Sequence, residues 1–341
     1  MVKVSKKLHI AISVFLIAAL ISLCGCDSKP KGEQVLTFSA MDTMVTLKVT
    51  GDDSYDVITA INDFVVDYDF NVISRHSESS EISKINKEHK CPETSQLYAP
   101  LMKLLSVYQV SLGAYDFTLG NLSDLWGFGT GNEKIPEKEE IDKILASSGA
   151  GTLAYTNGDV TFAEGVEIDL GSAGKGMALD KIKEEYLQGS KTQRAVISLG
   201  GSILLYGEGE FTVGIADPEN SAGSMAKLKV NECCVSTSGN YERYFEKDGV
   251  RYHHILDPKT GYPSDSDLVS VTVVSKDGTL SDALSTACFV LGSEDGQLLL
   301  QSYECEGVFI LKDGTVIVTD GLRGKLEITN NKYELKADYE S

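Results

Sequence analysis

Residues 166–186 read VEIDLGSAGKGMALDKIKEEY, and this stretch indicates the fold more strongly than any other part of the chain. Val166 to Leu170 predicts a buried strand. A glycine-rich turn follows, and then a helix whose Ala178, Ile182 and Tyr186 share one face. The turn between strand and helix is the first candidate for a functional site.

The turn from Gly171 to Gly176 has the properties of a phosphate-binding site. It exposes backbone N–H groups at the positive end of a helix, and Lys175 adds a point charge. It is not a Walker A loop, because its glycines are spaced differently and Gly176 stands where Ser or Thr would bind magnesium. It does not match G-x-G-x-x-G either. Taken alone, the turn fits phosphate binding and simple tight packing equally well.

The remaining segments mix strand and helix patterns without regular alternation, which favours an α+β fold over a doubly wound sheet. Strands are predicted at Thr43–Thr50, Val196–Leu199 and Val269–Val274, with hairpins at Tyr241–Phe245/Val250–Leu256 and Val308–Leu311/Thr315–Thr319. Helices are predicted at Tyr55–Tyr68, Leu101–Ser111 and Ser281–Leu291, the last capped by Ser281 or Asp282. Because no linker or repeat divides these segments, we expect one domain.

The N-terminus predicts export. Three lysines, Lys3, Lys6 and Lys7, precede an apolar run from Leu8 to Leu23, as in a secretory signal. Leu23-Cys24-Gly25-Cys26 resembles a bacterial lipobox with Cys26 as the lipidated residue, which would anchor the protein at the extracytoplasmic face of the cell membrane. An uncleaved N-terminal membrane helix is the alternative, and it also leaves the rest of the chain outside the cytoplasm.

The expected organisation follows from this signal. We expect a lipoprotein signal peptide at 1–26, a polar tether at 27–35, the folded domain at 36–330 and a tail at 331–341. The formal net charge of −19 would become about −22 once three signal lysines are removed. Such a surface repels nucleic acid and anionic lipid headgroups, so we exclude polyanionic partners and expect membrane contact through the lipid anchor alone.

Five cysteines remain after Cys24 and Cys26: Cys91, Cys233, Cys234, Cys288 and Cys305. They form no C-x-x-C pair, and their odd number argues against a full disulfide framework. We interpret most of them as buried small hydrophobes and leave one disulfide open.

Asp282 and Thr286 form a candidate metal site. They stand four residues apart, so both oxygens point the same way from adjacent turns of the predicted helix. Magnesium binds proteins through one or two carboxylates plus phosphates and waters, which suits a nucleotide–metal complex. The alternative is that Asp282 merely caps the helix.

His254 is a candidate general base. Alternation along its strand places it opposite His253, so one of the two should face the interior. A histidine there could take a proton from an attacking hydroxyl, although a lone strand histidine is more often a satisfied core residue. Trp126 lies in a glycine-flanked loop and could flank a flavin ring; a core anchor under the loop is the alternative.

Short motifs follow one another along the chain: AMDTM (40–44), SRHSESSEISKIN (74–86), GAYDFTLG (113–120), WGFG (126–129), DLGSAGKG (169–176) with Asp180, SLGG (198–201), VSTSG (235–239), HILDPKTG (254–261) and SDALSTA (281–287). In this order they resemble the ApbE family, the FAD:protein FMN transferases. The resemblance implies an α+β domain with mixed and antiparallel sheets and packed helices.

The resemblance also implies site residues. The implied FAD contacts are Met41, Ala114, Tyr115, Asp116, Asp169, Lys175 and Ile255. The implied magnesium ligands are Asp282, Thr286, Ser285 and the backbone carbonyl of Ser172. Three positions depart from the family pattern: His76 replaces an aromatic residue against the flavin, Asn121 replaces a common proline, and Ser202 follows the double glycine where Asn or Asp is usual. Because His76 keeps the flavin-side position, we include it among the FAD-binding residues.

The implied reaction is the Mg²⁺-dependent transfer of FMN from FAD to a threonine hydroxyl, with release of AMP. The implied acceptor is an exported flavoprotein with a Ser/Thr-Gly-Ala-Thr-like site. His254 is the predicted base, and Asp282 is the predicted metal-holding catalytic residue. Two alternatives stay open: a pyrophosphatase that splits FAD into FMN and AMP with the same residues, and a lipoprotein that binds FAD without chemistry.

Overall fold

The computed structural model describes residues 32–336, so the predicted signal peptide and Cys26 lie outside the described residues. The strands are β1 Gly32–Ala40, β2 Thr43–Gly51, β3 Lys90–Cys91, β4 Ala154–Thr156, β5 Asp159–Thr161, β6 Thr192–Leu199, β7 Ser202–Gly207, β8 Phe211–Asp217, β9 Asn220–Val230, β10 Cys233–Gly239, β11 Tyr244–Lys247, β12 Val250–His253, β13 Leu268–Ser275, β14 Glu306–Leu311, β15 Thr315–Val318, β16 Leu326–Ile328 and β17 Glu334–Leu335.

The helices are α1 Ser54–Tyr68, α2 Glu81–Glu88, α3 Tyr98–Val110, α4 Gly120–Trp126, α5 Lys138–Leu145, α6 Gly174–Lys181, α7 Gly278–Leu291 and α8 Ser293–Ser302. Short π-helical segments, Asp69–Ile73 and Ile182–Leu187, continue α1 and α6. Short 3₁₀ turns lie at Ala150–Thr152 and Asp320–Leu322. Within residues 32–336, no helix is both long and apolar enough to cross a membrane.

The central element is a sheet that, within the described chain, has nine strands in the order β1-β2-β6-β7-β10-β13-β14-β15-β17. Neighbouring strands are antiparallel except β15 and β17, which are parallel. Strands β8, β9 and β16 form a second sheet, and β11 and β12 form a separate hairpin. The predicted α+β fold with mixed sheets is confirmed.

Side chains alternate across the central sheet, so each face builds its own core. One face, which includes Leu47 and Ile197, packs against α1, α3, α6 and α7. The other face, which includes Val235 and Ile310, packs against the β8–β9 sheet. The central sheet therefore lies between a helical layer and a small antiparallel sheet, and the strand ends next to α6 and α7 hold the candidate site.

Most predicted elements are confirmed. The strand predicted at Thr43–Thr50 is β2, and the helix predicted at Tyr55–Tyr68 is α1. The two predicted hairpins are β11–β12 and β14–β15, although β12 ends at His253 rather than at Leu256. The five cysteines of the described chain are all buried and free, as expected of small hydrophobes.

The strand predicted at Val166–Leu170 is wrong. The segment forms only an isolated parallel bridge, between Glu167 and Leu119, and on its other side the Asn86 side chain bonds both the N–H and the carbonyl of Ile168 at 2.9 Å. Asp169 N–H donates to the carbonyl of Phe117 at 2.8 Å. The segment thus pairs with a short stretch of backbone on one side and with a side-chain amide on the other, which the local pattern could not reveal.

The predicted cap of α7 is also wrong. The helix begins at Gly278, and the Asp277 side chain accepts the N–H of Leu280 at 2.9 Å. Asp282 therefore lies in the second turn, where its carboxylate is not needed by the helix terminus.

At the two ends of the described chain, strands extend into segments expected to be irregular. Strand β1 begins at Gly32, inside the expected tether, and β17 lies inside the expected tail.

Candidate active site

The carboxylate of Asp282 lies at the crossing of α6 and α7. Its Oδ2 accepts the backbone N–H of Gly176 at 2.9 Å, and its Oδ1 accepts the Ser202 hydroxyl at 2.8 Å. The helices can approach this closely because both contact points are glycines: a Cβ on Gly176 would lie 2.0 Å from the carbonyl oxygen of Gly278. Asp282 is 5 % exposed, so its orientation is fixed from both sides.

Oxygen donors surround Asp282 on the same side of α7. Thr286 lies one turn further on and is half-buried, with its hydroxyl 3.3 Å from that of Ser238. Ser285 donates to the backbone carbonyl of Asp282 at 2.7 Å and also contacts the Ser238 hydroxyl at 2.8 Å. Thr286 is therefore the more accessible hydroxyl for a metal, while that of Ser285 is already engaged by the helix.

This donor set fits magnesium. It combines one fixed carboxylate with neutral oxygens, and Mg²⁺ prefers hard oxygen ligands with several places left for phosphates and water. Across residues 32–336, no three His, Cys, Asp or Glu side chains cluster as a metal cage. A metal at Asp282 would thus draw on Thr286, the Ser172 carbonyl and the substrate rather than on further carboxylates.

The glycine-rich turn is braced by an ion-pair network around the largely buried side chain of Arg75. Gly171 N–H donates to Asp169 Oδ1 at 2.8 Å, and the other oxygen of Asp169 accepts Arg75 Nε at 3.1 Å. Arg75 also pairs with Asp124 and Glu167. Sequence reasoning missed Arg75, although it precedes His76 within the quoted motif. Asp169, implied as an FAD contact, also holds the turn through Arg75.

Lys175 lies half-buried in the turn and forms no ion pair within 4.0 Å with the described residues. Glu242, which was not predicted from the sequence, lies close enough for the positive charge of Lys175 to act on its carboxyl group. Partial desolvation raises the pKa of the Glu242 carboxyl, Lys175 opposes the rise and Asp282 adds to it. Glu242 also lies close to the β6–β7 turn, because a Cβ on Gly201 would be 3.3 Å from Glu242 Oε1.

The adjacent histidines have different environments. His253 is buried, contacts the carbonyl of Ser264 through Nε2 at 3.0 Å, and packs edge-on against Phe289. His254 is half-buried, and its Nδ1 lies 3.2 Å from the carbonyl of Arg243. A carbonyl cannot donate, so Nδ1 carries the proton and Nε2 remains an acceptor. Of the two, His254 has the geometry of a base.

Electrostatics keep His254 neutral. Burial lowers its pKa to about 3, and the positive charges of Arg243 and Lys175 lower it further. The imidazole is therefore unprotonated at neutral pH, with Nε2 able to accept a hydrogen bond. Arg243 also pairs with Asp42 at 3.8 Å, which ties the start of the β11–β12 hairpin to the β1–β2 turn.

The implied FAD contacts lie in different environments. Tyr115 is buried and receives the Ser172 hydroxyl at 3.1 Å, which places the 114–116 segment against the turn. Asp116 instead directs its carboxylate to Thr118 and to the backbone N–H of Ala150. Ala114 and Ile255 are buried, whereas His76 is exposed.

Met41 lies in the tight turn between β1 and β2. It and Asp42 both adopt left-handed backbone angles, with φ of 52° and 55°. The Met41 N–H donates to Asp69 Oδ2 at 2.7 Å, and the two residues line an open depression of about 450 Å³. Asp69, which begins the π-helical segment after α1, is a further residue that sequence reasoning missed.

Trp126 does not flank the site. It is fully buried, donates from Nε1 to the carbonyl of Gly261 at 2.9 Å and stacks on Phe128. Tyr252 and Tyr262 complete this aromatic cluster. The core-anchor interpretation is correct, and the flavin-stacking one is wrong because no face of the indole is accessible. The cluster supports the hairpin that leads into His254.

Comparison with known proteins gives a consistent result. The ApbE family matches residues 41–309. A Treponema pallidum protein named FAD:protein FMN transferase is 33 % identical over 290 residues, which cover 78 % of this chain and 80 % of the relative. A Klebsiella pneumoniae protein of the same name is 35 % identical over 227 residues, which cover 65 % of this chain and 71 % of the relative.

Solved structures agree. The crystal structure of the ApbE protein from Thermotoga maritima superposes with a TM-score of 0.77 at 29 % identity, covering 86 % of this chain and 99 % of the other. The apo form of the flavinyl transferase ApbE from Pseudomonas stutzeri gives a TM-score of 0.74 at 26 % identity, covering 88 % and 98 %. The family match at residues 41–309 spans the region that holds Asp282, the glycine-rich turn and the hairpin.

Proposed function

This chain belongs to the ApbE family and is an FAD:protein FMN transferase, and we propose that it moves FMN from FAD to a threonine hydroxyl of an exported flavoprotein in a Mg²⁺-dependent reaction that releases AMP. The observation that carries the proposal is the Asp282 carboxylate fixed directly against the first turn of α6. The turn proposed to bind phosphate and the carboxylate proposed to bind the metal thus lie in contact with each other.

Binding of the FAD pyrophosphate follows from the turn. The turn leads into the positive end of α6, where anions are favoured, although the N–H groups of Gly171 and Gly176 already donate to Asp169 and Asp282. Lys175, which has no ion-pair partner within 4.0 Å among the described residues, supplies a full positive charge. When bound at Asp282 and Thr286, Mg²⁺ supplies neutralisation of the negative charge on the phosphates. Phosphoryl transfer depends mainly on such positioning and charge neutralisation.

The bond changes are simple. The threonine Oγ forms a bond to the FMN phosphorus, and the bond from that phosphorus to the bridging oxygen breaks, so that AMP leaves with this oxygen. We assign the threonine proton to Nε2 of His254, since Nδ1 is engaged with Arg243. His254 therefore orients the nucleophile and removes its proton.

The proposed location is the extracytoplasmic face of the cell membrane, through a lipid on Cys26. Its support is the sequence pattern of 1–26, which lies outside the described residues. This location suits an acceptor that is itself exported. The proposed acceptor carries a Ser/Thr-Gly-Ala-Thr-like site.

The test is a set of intact-mass measurements on an acceptor domain incubated with the protein, FAD and Mg²⁺. We expect the acceptor to gain the mass of one FMN, and we expect no gain when its threonine is replaced by alanine or when EDTA is added. Free FMN and AMP without an acceptor gain would instead identify a pyrophosphatase. Unchanged FAD would identify a carrier.

A further inference from the structure

Ser202 occupies an unusual place at the candidate site. It begins β7 immediately after the Gly200–Gly201 turn and pairs with Leu199 across the β6–β7 hairpin. The turn is tight, because Gly200 has φ of +64° and a Cβ there would lie 2.3 Å from the Thr43 hydroxyl. The double glycine thus carries the chain directly from β6 into β7 and leaves the Ser202 side chain fully buried next to α7.

The two hydrogen bonds on Asp282 leave it with a single orientation. Gly176 N–H occupies one carboxylate oxygen and Ser202 Oγ occupies the other, both within 2.9 Å. Each oxygen has a second lone pair, which remains for a metal. The Gly176 donor is a backbone N–H, whereas the Ser202 donor is a side-chain hydroxyl that a substitution can remove.

We propose that Ser202 is a positioning residue for the metal-binding carboxylate: its hydroxyl holds Asp282 in the orientation that binds the divalent cation. The inference rests on the proposed function, since it assumes a metal at Asp282. It also gives a physical account of why a small hydroxyl residue works at a position where the family usually carries Asn or Asp. Partners that orient a metal ligand typically change metal affinity about 10- to 100-fold when removed.

Ser236 provides a matched control. It lies directly opposite Ser202 in the β7–β10 pairing and is equally buried. Its hydroxyl bonds that of Ser281 at 2.9 Å, so it lies in the same polar layer without touching Asp282. Ser236→Ala therefore removes the same atom from the same layer, and any general effect of a lost buried hydroxyl appears in both variants.

The experiment measures Mn²⁺ binding to the full-length protein by electron paramagnetic resonance of the free ion, with FAD present and acceptor omitted. We expect Ser202→Ala to weaken Mn²⁺ binding about 10- to 100-fold, while Ser202→Thr and Ser236→Ala stay near wild type. In transfer assays, the Mg²⁺ concentration for half-maximal rate should rise for Ser202→Ala, while KM for FAD at saturating Mg²⁺ stays unchanged. Ser202→Cys, with nearly the same volume and a weak donor, replaces Ser202→Ala if that variant does not fold.

The outcomes separate the two claims. Wild-type binding of Mn²⁺ together with undiminished binding by Ser202→Ala would overturn the role of Ser202 and leave the proposed function intact. Equal weakening by Ser202→Ala and Ser236→Ala would also overturn it, since the effect would then be structural. If the wild-type protein bound no Mn²⁺ in the presence of FAD, the metal requirement of the proposed function would fail, and this inference with it.

Discussion

The adjacent residues His253 and His254 are expected to have different roles, His253 in stability and His254 in the proposed reaction. His254 offers an unprotonated Nε2 beside Lys175, and its pKa is lowered to about 3 by burial and by Arg243. A base that must be neutral loses function only when the pH falls to its pKa. In the proposed complex, a pyrophosphate bound near Lys175 would offset part of the positive field and make the imidazole a stronger base.

We therefore predict that His254→Ala lowers the transfer rate by about 10²- to 10⁴-fold. The wild-type kcat/KM for the acceptor should stay level as the pH falls from 8 to 5, because the free enzyme's His254 remains neutral throughout that range. Initial rates across pH, with His254→Gln as the control that keeps a polar side chain, check both statements. An acid limb near the ordinary histidine pKa of about 6.5 would contradict the assignment.

His253 should affect stability instead. Burial lowers its pKa to about 4, while the unfolded imidazole titrates near about 6.5. As the pH falls through this window, the unfolded state takes up a proton that the folded state refuses, so stability falls with the pH. Replacing His253 with Asn should remove up to about 3 kcal/mol of this loss between neutral pH and pH 4. Urea unfolding at both pH values measures it, and parallel pH dependence in variant and wild type would refute the role.

Among the elements, the β1–β2 turn depends on the π-helical segment that follows α1. Two consecutive non-glycine residues, Met41 and Asp42, adopt left-handed angles, a conformation that needs external support. Asp69 gives that support through its 2.7 Å bond to the Met41 N–H. Local unwinding into a π-helix is a frequent feature of functional sites, and here it aims Asp69 at the turn.

We predict that Asp69→Ala raises KM for FAD about tenfold, since a hydrogen bond to a charged group contributes about 1.5–3 kcal/mol. Asp69→Asn keeps an acceptor oxygen and should have a smaller effect. Steady-state kinetics at saturating acceptor and metal measure the KM for FAD. An unchanged KM for FAD in Asp69→Ala would contradict a role of the Met41 turn in flavin binding.

The close crossing of α6 and α7 leaves less room at Gly176 than at Gly174. A Cβ on Gly176 would lie 2.0 Å from the Gly278 carbonyl oxygen, whereas a Cβ on Gly174 would meet the flexible end of Ile73 at 2.9 Å. Gly176→Ala should therefore lower the free energy of unfolding by about 3 kcal/mol through overpacking. Gly174→Ala, in the same turn, should be close to neutral because the helix gains propensity. Similar melting temperatures for both variants would contradict this packing argument.

Local patterns predicted the elements better than the contacts between them. Alternation and helical spacing identified β2, α1 and β13, because each buries one face and carries its own periodic signal. The strand predicted at Val166–Leu170 failed, since it makes only an isolated bridge to Leu119 and the side chain of Asn86, 82 positions away, takes the backbone hydrogen bonds of Ile168. The cap of α7 failed because Asp277 lies outside the predicted helix and competes successfully for its first turn.

For the whole molecule, the site depends on contacts between distant parts of the chain. Asp282 is held by Gly176 and Ser202, which lie 106 and 80 positions away in the sequence. The motifs around these residues were recognisable one by one, and they resemble one family. Arg75, Asp69 and Glu242 were missed because their importance comes from what they contact across the fold, and a single sequence contains no signal for such contacts.

The most direct test compares the wild-type protein with Asp282→Asn in the FMN-transfer assay. Asparagine has nearly the same shape and can still accept one of the two hydrogen bonds, so the melting temperature should change little. We predict that the acceptor gains one FMN with the wild type and that the rate falls by about 100-fold or more with Asp282→Asn. Transfer at the wild-type rate by Asp282→Asn would contradict the claim that this carboxylate holds the metal for the reaction.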